Sequence, residues 1–245
     1  MLVKLENPQL LSRVVEIISE LVTDVRIKIS EYGLSISAMD PANVSLVGFK
    51  IPKSAFSQFE SGSDVLGVNL VNLKSILRRC SSKSTLILEK KENTLEISIQ
   101  DRISRKFVLT LIEIESEDID FDDKARKIEF SSRIEMNSLD LIDSIEDCLV
   151  VSDSCSFIVK NGKFIIEAKS LNSARSEFSG DEAKIEAEDC KSRYSLEYLQ
   201  KFMKGAKLSE KSILKFASDH PLRVDYKTEN MELSFILAPR VETED

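Results

Sequence analysis

The sequence predicts an α+β chain built by internal duplication, with antiparallel sheets and four short helices. Three observations carry this reading. Short runs of alternating apolar and polar residues recur along the chain, separated by tight turns. Four segments instead carry the apolar period of a helix. The two patterns interleave as strand, helix and three strands, and this unit recurs at a near-constant spacing.

The first helical segment is Pro8 to Val22. Leu10, Val14, Ile17, Ile18 and Leu21 form one apolar face, while Arg13, Glu16 and Glu20 face away. Pro8 suits an early helical position, with Asn7 as its expected cap. The second segment is Asn72 to Ser81, with Leu73, Ile76, Leu77 and Cys80 inward and Lys74, Arg78 and Arg79 outward. The third is Ser138 to Val150, with Leu139, Ile142, Ile145 and Leu149 inward and Asn137 with Asp140 as a capping pair. The fourth is Leu196 to Ala206, capped by Ser195, with Leu199, Phe202 and Met203 inward and Lys201, Lys204 and Lys207 outward.

Strands are expected between the helices, from Val25–Ser30 through Arg105–Ile112 in the first half and from Ile128–Ile134 to Met231–Leu237 in the second. Turns such as Glu31-Tyr32-Gly33 and Lys160-Asn161-Gly162 join neighbours as hairpins, which forces antiparallel pairing. Leu10 and Leu73 lie 63 positions apart, Leu139 and Leu199 lie 60 apart, and Leu10 to Leu139 is 129. The chain therefore divides into an N-terminal domain over 1–112, a connector over 113–127 and a C-terminal domain over 128–245.

The connector is acidic, with Glu113, Glu115, Glu117, Asp118, Asp120, Asp122 and Asp123 in close succession. Charge of one sign at this density predicts an extended, solvated segment. Yet Ile114, Ile119 and Phe121 sit within it, and apolar residues there must meet the protein's own surface or a partner.

Composition narrows the function classes. The 245 residues are 42% hydrophobic and 31% charged, which excludes global disorder. No run of about 18 apolar residues could span a membrane. The first residues, MLVKLENPQ, meet an acid and a proline too early for a signal peptide, so an intracellular setting is expected. Cys80, Cys148, Cys155 and Cys190 form no C-x-x-C pair and read as buried thiols. His220 is the single histidine, which argues against histidine-based triads and zinc sites. Seven glycines form no phosphate-binding fingerprint. No catalytic residue, metal site or cofactor is expected.

A net charge of −8 argues against nucleic-acid binding when averaged over the chain. The average misleads. The connector acids and the tail acids Glu242, Glu244 and Asp245 outweigh that whole net charge, while basic residues gather on three of the four helices.

The run from Gly33 to Val47, GLSISAMDPANVSLV, resembles the proliferating-cell-nuclear-antigen type of sliding clamp, which carries G-x-x-x-x-x-M-D-x-x-x-V-S-L-V here. A second match is Leu66-Gly67-Val68-Asn69-Leu70. A third is Pro221-Leu222-Arg223-Val224-Asp225-Tyr226, followed by Leu237-Ala238-Pro239-Arg240-Val241-Glu242. The matches occur in family order, and the compact length resembles archaeal members. The resemblance implies a processivity factor for DNA polymerase: a ring of three subunits around duplex DNA, helices lining the hole and sheets outside. A homotrimer or a heterotrimer with related subunits would satisfy it.

The same resemblance implies the site residues. A pocket under the connector would comprise Met39, Val44, Leu46, Ile119, Phe121, Pro221, Ile236, Ala238 and Pro239. It would receive a client motif of the form Q-x-x-aliphatic-x-x-aromatic-aromatic, carried by DNA polymerase, flap endonuclease, DNA ligase or the clamp loader. Subunits would join edge to edge through Arg105, Phe107, Leu109 and Leu111 on one copy and Ala174, Ser176 and Phe178 on the next. Arg13, Lys74, Arg78, Arg79, Lys83, Lys201, Lys204 and Lys207 would face phosphates without reading bases. Lys4 and Lys28 read as ordinary solvated charges.

The third helix departs from the family pattern, because Asp140, Asp143, Glu146 and Asp147 stand where basic residues are frequent. These acids would repel DNA. They fit either a heterotrimer with more basic partners, a tilt of the DNA, or a helix set further from it. Two rival readings are a checkpoint-type clamp subunit of the same fold, and a metal-dependent nuclease or phosphatase using Asp118, Asp120, Asp122 and Asp123.

Overall fold

A computed structural model describes residues 1–60 and 62–241, so the acidic tail lies outside the described residues. The chain divides into two compact units. Unit 1 holds Met1–Pro41, Val47–Phe121 and Glu229–Glu232, and unit 2 holds Ala42–Leu46, Asp122–Thr228 and Leu233–Asp245. The long division thus falls inside the connector, at Phe121/Asp122.

Unit 1 runs β1 (Leu2–Glu6), α1 (Gln9–Ile18), β2 (Asp24–Ser30), β3 (Gly33–Met39), β4 (Ser45–Pro52), β5 (Gln58–Glu60), β6 (Asp64–Asn69), α2 (Leu70–Leu77), β7 (Thr85–Lys91), β8 (Thr94–Gln100) and β9 (Ser104–Thr110). Its strands pair in the orders β5-β1-β7-β8-β9 and β4-β3-β2-β6. A short helix, α3 (Phe121–Ala125), occupies the second half of the connector. The extended path expected from the charge is therefore corrected over Phe121–Ala125 alone, while residues 113–120 form no helix or strand.

Unit 2 repeats the sequence of elements. It runs β10 (Ser132–Asn137), α4 (Ser138–Leu149), β11 (Ser154–Lys160), β12 (Lys163–Lys169), β13 (Ser173–Phe178), β14 (Ala183–Ala187), β15 (Cys190–Ser195), α5 (Leu196–Ala206), β16 (Lys211–Phe216), β17 (Leu222–Thr228) and β18 (Met231–Leu237). Its orders, β14-β10-β16-β17-β18 and β13-β12-β11-β15, match those of unit 1 strand for strand. The duplication read from helix spacing is present as topology. Two strands that begin such units, β1 and β15, emerge only here: β1 alternates just from Val3 to Glu6, and β15 holds few large apolar residues.

Each helix covers the sheets of its own unit. α1 buries Leu11, Val14, Val15, Ile17 and Ile18, and α5 buries Leu196, Leu199, Phe202, Met203 and Ala206. Phe202 stacks on Phe235 of β18 at 4.3 Å between ring centres, joining helix to sheet. α4 corrects one sequence expectation. Leu139 is 65% exposed, not inward. Ser138 takes the inward place, its hydroxyl 2.8 Å from that of Ser212, and Leu141, Ile142, Ile145 and Cys148 follow at helical spacing.

Caps also differ from expectation. Asn7 adopts φ 53° and the helix starts after Pro8, so Asn7 is not the cap. Asn69 caps α2 by accepting from the Asn72 N–H at 3.2 Å, and Asn137 caps α4 through Leu139 N–H at 2.8 Å. Ser195 holds the N-cap position of α5 without a side-chain hydrogen bond. Among the described residues, no helix is long and apolar enough to cross a membrane.

Candidate functional site

Three surfaces were expected: a client pocket, two sheet edges and a cationic helical face. The client residues fall on both units, and each set is described in its own. In unit 1, Met39 ends β3 half-buried, and Ile119 is half-buried in the connector. Phe121 is only 3% exposed. Its backbone N–H donates to Ser37 Oγ at 3.3 Å, and its ring lies against Gly48. Phe121 is thus seated in its own unit and offers no free face to a client, which corrects the expectation that it opens into the pocket. Ile119, like Ile114, remains half-buried in the connector.

The connector before Phe121 is held by β2. Arg26 donates to the carbonyls of Ile114, Ser116 (2.6 Å) and Glu117 (3.4 Å). Lys28 pairs with Asp118 at 2.7 Å, so it is not an ordinary solvated charge. Alternation on β2 places both cations on the face opposite Val25, Ile27 and Ile29. Sequence reasoning missed this pair, although two cations at i and i+2 opposite a seven-fold acidic stretch were a readable signal.

In unit 2, Val44 and Ala238 are joined directly, the Ala238 N–H donating to the Val44 carbonyl at 2.8 Å. Both side chains are half-buried, as is Pro239. Leu46 and Ile236 are 4% and 7% exposed, so they support the surface from beneath and do not line it. Pro221 follows His220, whose carbonyl accepts from Tyr194 Oη (2.8 Å) and Ser192 Oγ (3.1 Å). Burial pushes the Tyr194 hydroxyl up, keeping it a donor. Beyond Pro239, the Arg240 N–H donates to the Arg193 carbonyl at 2.7 Å, and its guanidinium meets Asp153 at 2.7 Å. That hydrogen bond holds the Asp153 carboxyl below its ordinary range. A cavity of about 470 Å³ opens here, lined by Lys191, Arg193, Asp219, Pro239, Arg240 and Val241.

The expected joining strands are both sheet ends. β9 closes one end of the five-stranded sheet of unit 1, and β13 closes one end of the four-stranded sheet of unit 2. Arg105, Phe107 and Leu109 alternate onto the inner face of β9, with Leu109 8% exposed. Phe107 and Leu111 are half-buried. Arg105 turns back on its own unit, donating to the Arg79 carbonyl at 3.2 Å and pairing with Asp101. These are ties within unit 1. On β13, Ala174 and Ser176 are half-buried, while Phe178 is 8% exposed and stacks on Phe164 at 6.0 Å. Phe178 and Leu109 thus brace the edges from within, and Val108, 60% exposed, faces out.

The cationic residues also sort by unit. In unit 1, α1 and α2 lie side by side. Arg13, Arg79 and Lys83 are exposed and Lys74 is half-buried. Arg78 pairs with Glu16 across the two helices, which engages a carboxylate expected to face away. In unit 2, Lys204 and Lys207 are exposed at the C-terminal end of α5, where the helix dipole favours cations. Lys201 pairs with Glu197 at 3.0 Å and sits 5.1 Å above the Tyr198 ring. Glu146 of α4 shares a groove of about 190 Å³ with Lys204 and Lys207, so acid and base face one another across α4 and α5. Among the described residues, no group of three or more histidine, cysteine or acidic side chains could hold a metal ion.

Comparison with known proteins agrees with this architecture. The N-terminal domain of proliferating cell nuclear antigen matches residues 1–124 and its C-terminal domain matches residues 124–241. The DNA polymerase sliding clamp of Pyrococcus horikoshii is 32% identical over 251 residues, covering 97% of each chain. That of Thermococcus onnurineus is 34% identical over 232 residues, covering 91% of this chain and 92% of its own. Among solved structures, proliferating cellular nuclear antigen from Entamoeba histolytica superposes with a TM-score of 0.88 at 25% identity over 98% of both chains. A chain of the PCNA2–PCNA3 complex from Sulfolobus tokodaii gives 0.85 at 25% identity, over 99% of this chain and 100% of that one. The chain belongs to the proliferating cell nuclear antigen family.

Proposed function

We propose that this protein is a processivity factor, a DNA sliding clamp that works as one subunit of a three-membered ring and tethers enzymes to duplex DNA. The observation that carries the reading is full-length correspondence, with 97% of this chain and 97% of a DNA polymerase sliding clamp aligned. The mechanism is topological. A closed ring cannot leave DNA sideways, so weak phosphate contacts suffice, and tethering raises the local concentration of a client. Chemistry is left to the clients, and the clamp itself is not an enzyme.

Ring closure would use the two unpaired strand ends, β9 of one copy against β13 of the next. Phe107, Leu111, Ala174 and Ser176 would contribute side chains, with Leu109 and Phe178 holding the edges flat. The acidic α4 fits a ring shared with more basic related subunits, a tilt of the DNA, or a helix set further from it. DNA would be met chiefly by Arg13, Lys74, Arg79 and Lys83, and by Lys204 and Lys207. Clients such as polymerase, flap endonuclease, ligase and the clamp loader would use Met39 and Ile119 in unit 1, and Val44, Pro221, Ala238 and Pro239 in unit 2.

The test is binding of a synthetic peptide with the pattern Q-x-x-aliphatic-x-x-aromatic-aromatic, followed calorimetrically. Ile119→Ala and Pro239→Ala are each expected to weaken it about tenfold. Unchanged affinity in both variants would refute the client surface.

A further inference from the structure

We propose that Arg26 is a positioning residue for client binding, a fork that fixes the path of the connector without touching the client. The inference rests on the reading that clients dock beside Ile119. Its own basis is the way unit 1 holds residues 112 to 121.

The connector is fastened at successive points. The Ile112 N–H donates to the Gly67 carbonyl at 2.9 Å. Arg26 then takes three carbonyls, those of Ile114, Ser116 and Glu117. Lys28 takes the carboxylate of Asp118, and Ser37 Oγ accepts the N–H of Phe121. Between the last two anchors stands Ile119, half-buried, with no backbone tie of its own among these.

The choice of acceptors is informative. Glu113, Glu115 and Glu117 interleave with the residues that Arg26 binds, yet Arg26 takes main-chain carbonyls and all three glutamates are exposed. A planar guanidinium carries five N–H groups in a rigid array and can satisfy several acceptors at once. A lysine supplies charge but not that array. Carbonyls on a segment of dense negative charge would otherwise face water, and the segment would sample many paths. Arg26 removes that freedom before a client arrives. Pre-ordering of this kind strengthens binding chiefly by slowing dissociation.

Lys28 acts differently, because it binds a side chain and leaves the backbone free. Its loss should matter less than the loss of Arg26.

The experiment compares the wild-type chain with Arg26→Met, Arg26→Lys and Lys28→Met. Backbone order parameters from 15N relaxation are read over residues 113 to 120, and dissociation of the synthetic client peptide is read by stopped flow. Arg26→Met keeps the aliphatic stem and is expected to lower the order parameters of 114 to 118 from roughly 0.85 to below about 0.6. Peptide dissociation should quicken about tenfold with association nearly unchanged. Arg26→Lys should recover less than half of either effect, and Lys28→Met should change dissociation less than threefold. Unchanged order parameters in Arg26→Met overturn the proposal. So does a loss of order with peptide kinetics within twofold of wild type, or an Arg26→Lys variant equal to wild type, which would reduce the role to charge. Absence of peptide binding to the wild-type chain would instead overturn the client reading and this role with it. The relaxation measurement then still separates that failure from failure of the Arg26 hold.

Discussion

The ring of Phe121 lies so close to Gly48 that a Cβ on Gly48 would stand 2.4 Å from the ring's Cγ. Gly48 sits in β4, buried, and its missing side chain is the space that Phe121 fills. The pair explains how an acidic connector is kept on the protein. One aromatic side chain of the connector enters the surface of its own unit.

Gly48→Ala should therefore act as overpacking and destabilise the protein by about 1–3 kcal/mol. Its distinguishing feature is repair. Gly48→Ala combined with Phe121→Leu should be more stable than Gly48→Ala alone, because the smaller residue vacates the contested volume. Denaturant unfolding of the two single variants and the double variant reads the coupling. Strict additivity would contradict the proposed contact.

The Arg223–Asp225 pair in β17 gives a second prediction. Asp225 is 2% exposed and accepts from Arg223 Nε at 2.8 and 3.0 Å and from Ser234 Oγ at 2.6 Å. Arg223→Met leaves that carboxylate buried without its cation and should cost about 3 kcal/mol. Asp225→Asn with Arg223→Met together should recover part of the loss, because the buried charge is gone. Chemical denaturation of the single and double variants measures both.

Thiol chemistry provides a third. Cys148 and Cys155 are buried and hydrogen-bonded to one another, which lowers the Cys148 thiol while burial drives Cys155 well up. Cys190 is raised by burial, and burial pushes Cys80 up to about 11. A raised thiol holds little thiolate at pH 8, and Cys148, the exception, is shielded from reagents. Titration with a disulfide reagent at pH 8 should find no fast-reacting thiol in the native protein and all four after unfolding. A fast native equivalent would show that one of these sites opens.

How much of this was readable in advance depends on what fixed each feature. The helices α1, α2, α4 and α5 were legible because burial of one face imposes a period on the sequence itself. Leu139 was misread for the same reason: it fits the period by one count, yet a serine pair, Ser138 and Ser212, claims the inward position. β1 and β15 were missed because strands such as Cys190–Ser195, with Lys, Arg and Ser at alternate places, carry a weak apolar signal. The sheet ends β9 and β13 were located from the family motif order, and which of their side chains point outward required the pleat. Arg26 was legible only as a cation that could face the acidic stretch; its actual partners are backbone carbonyls about ninety positions away, which no side-chain pattern encodes.

The acidic face of α4 yields the fourth prediction. Asp143→Lys with Glu146→Lys should strengthen retention of the assembled clamp on DNA. Each new phosphate contact steepens the dependence of log affinity on log salt by about 0.9. Lys204→Glu with Lys207→Glu should do the reverse. Binding to duplex DNA across a salt series checks both, and equal slopes for all variants would place these helices away from the phosphates.

The central claim is topological linkage to DNA, and one measurement addresses it directly. The assembled clamp, with any sibling subunits and its loader, is placed on a nicked circular duplex, and retention is followed at high salt before and after the circle is cut. A closed ring gives long-lived, salt-resistant retention on the circle and rapid loss on linearisation, because it slides off an open end. Equal retention on circular and linear DNA would contradict it.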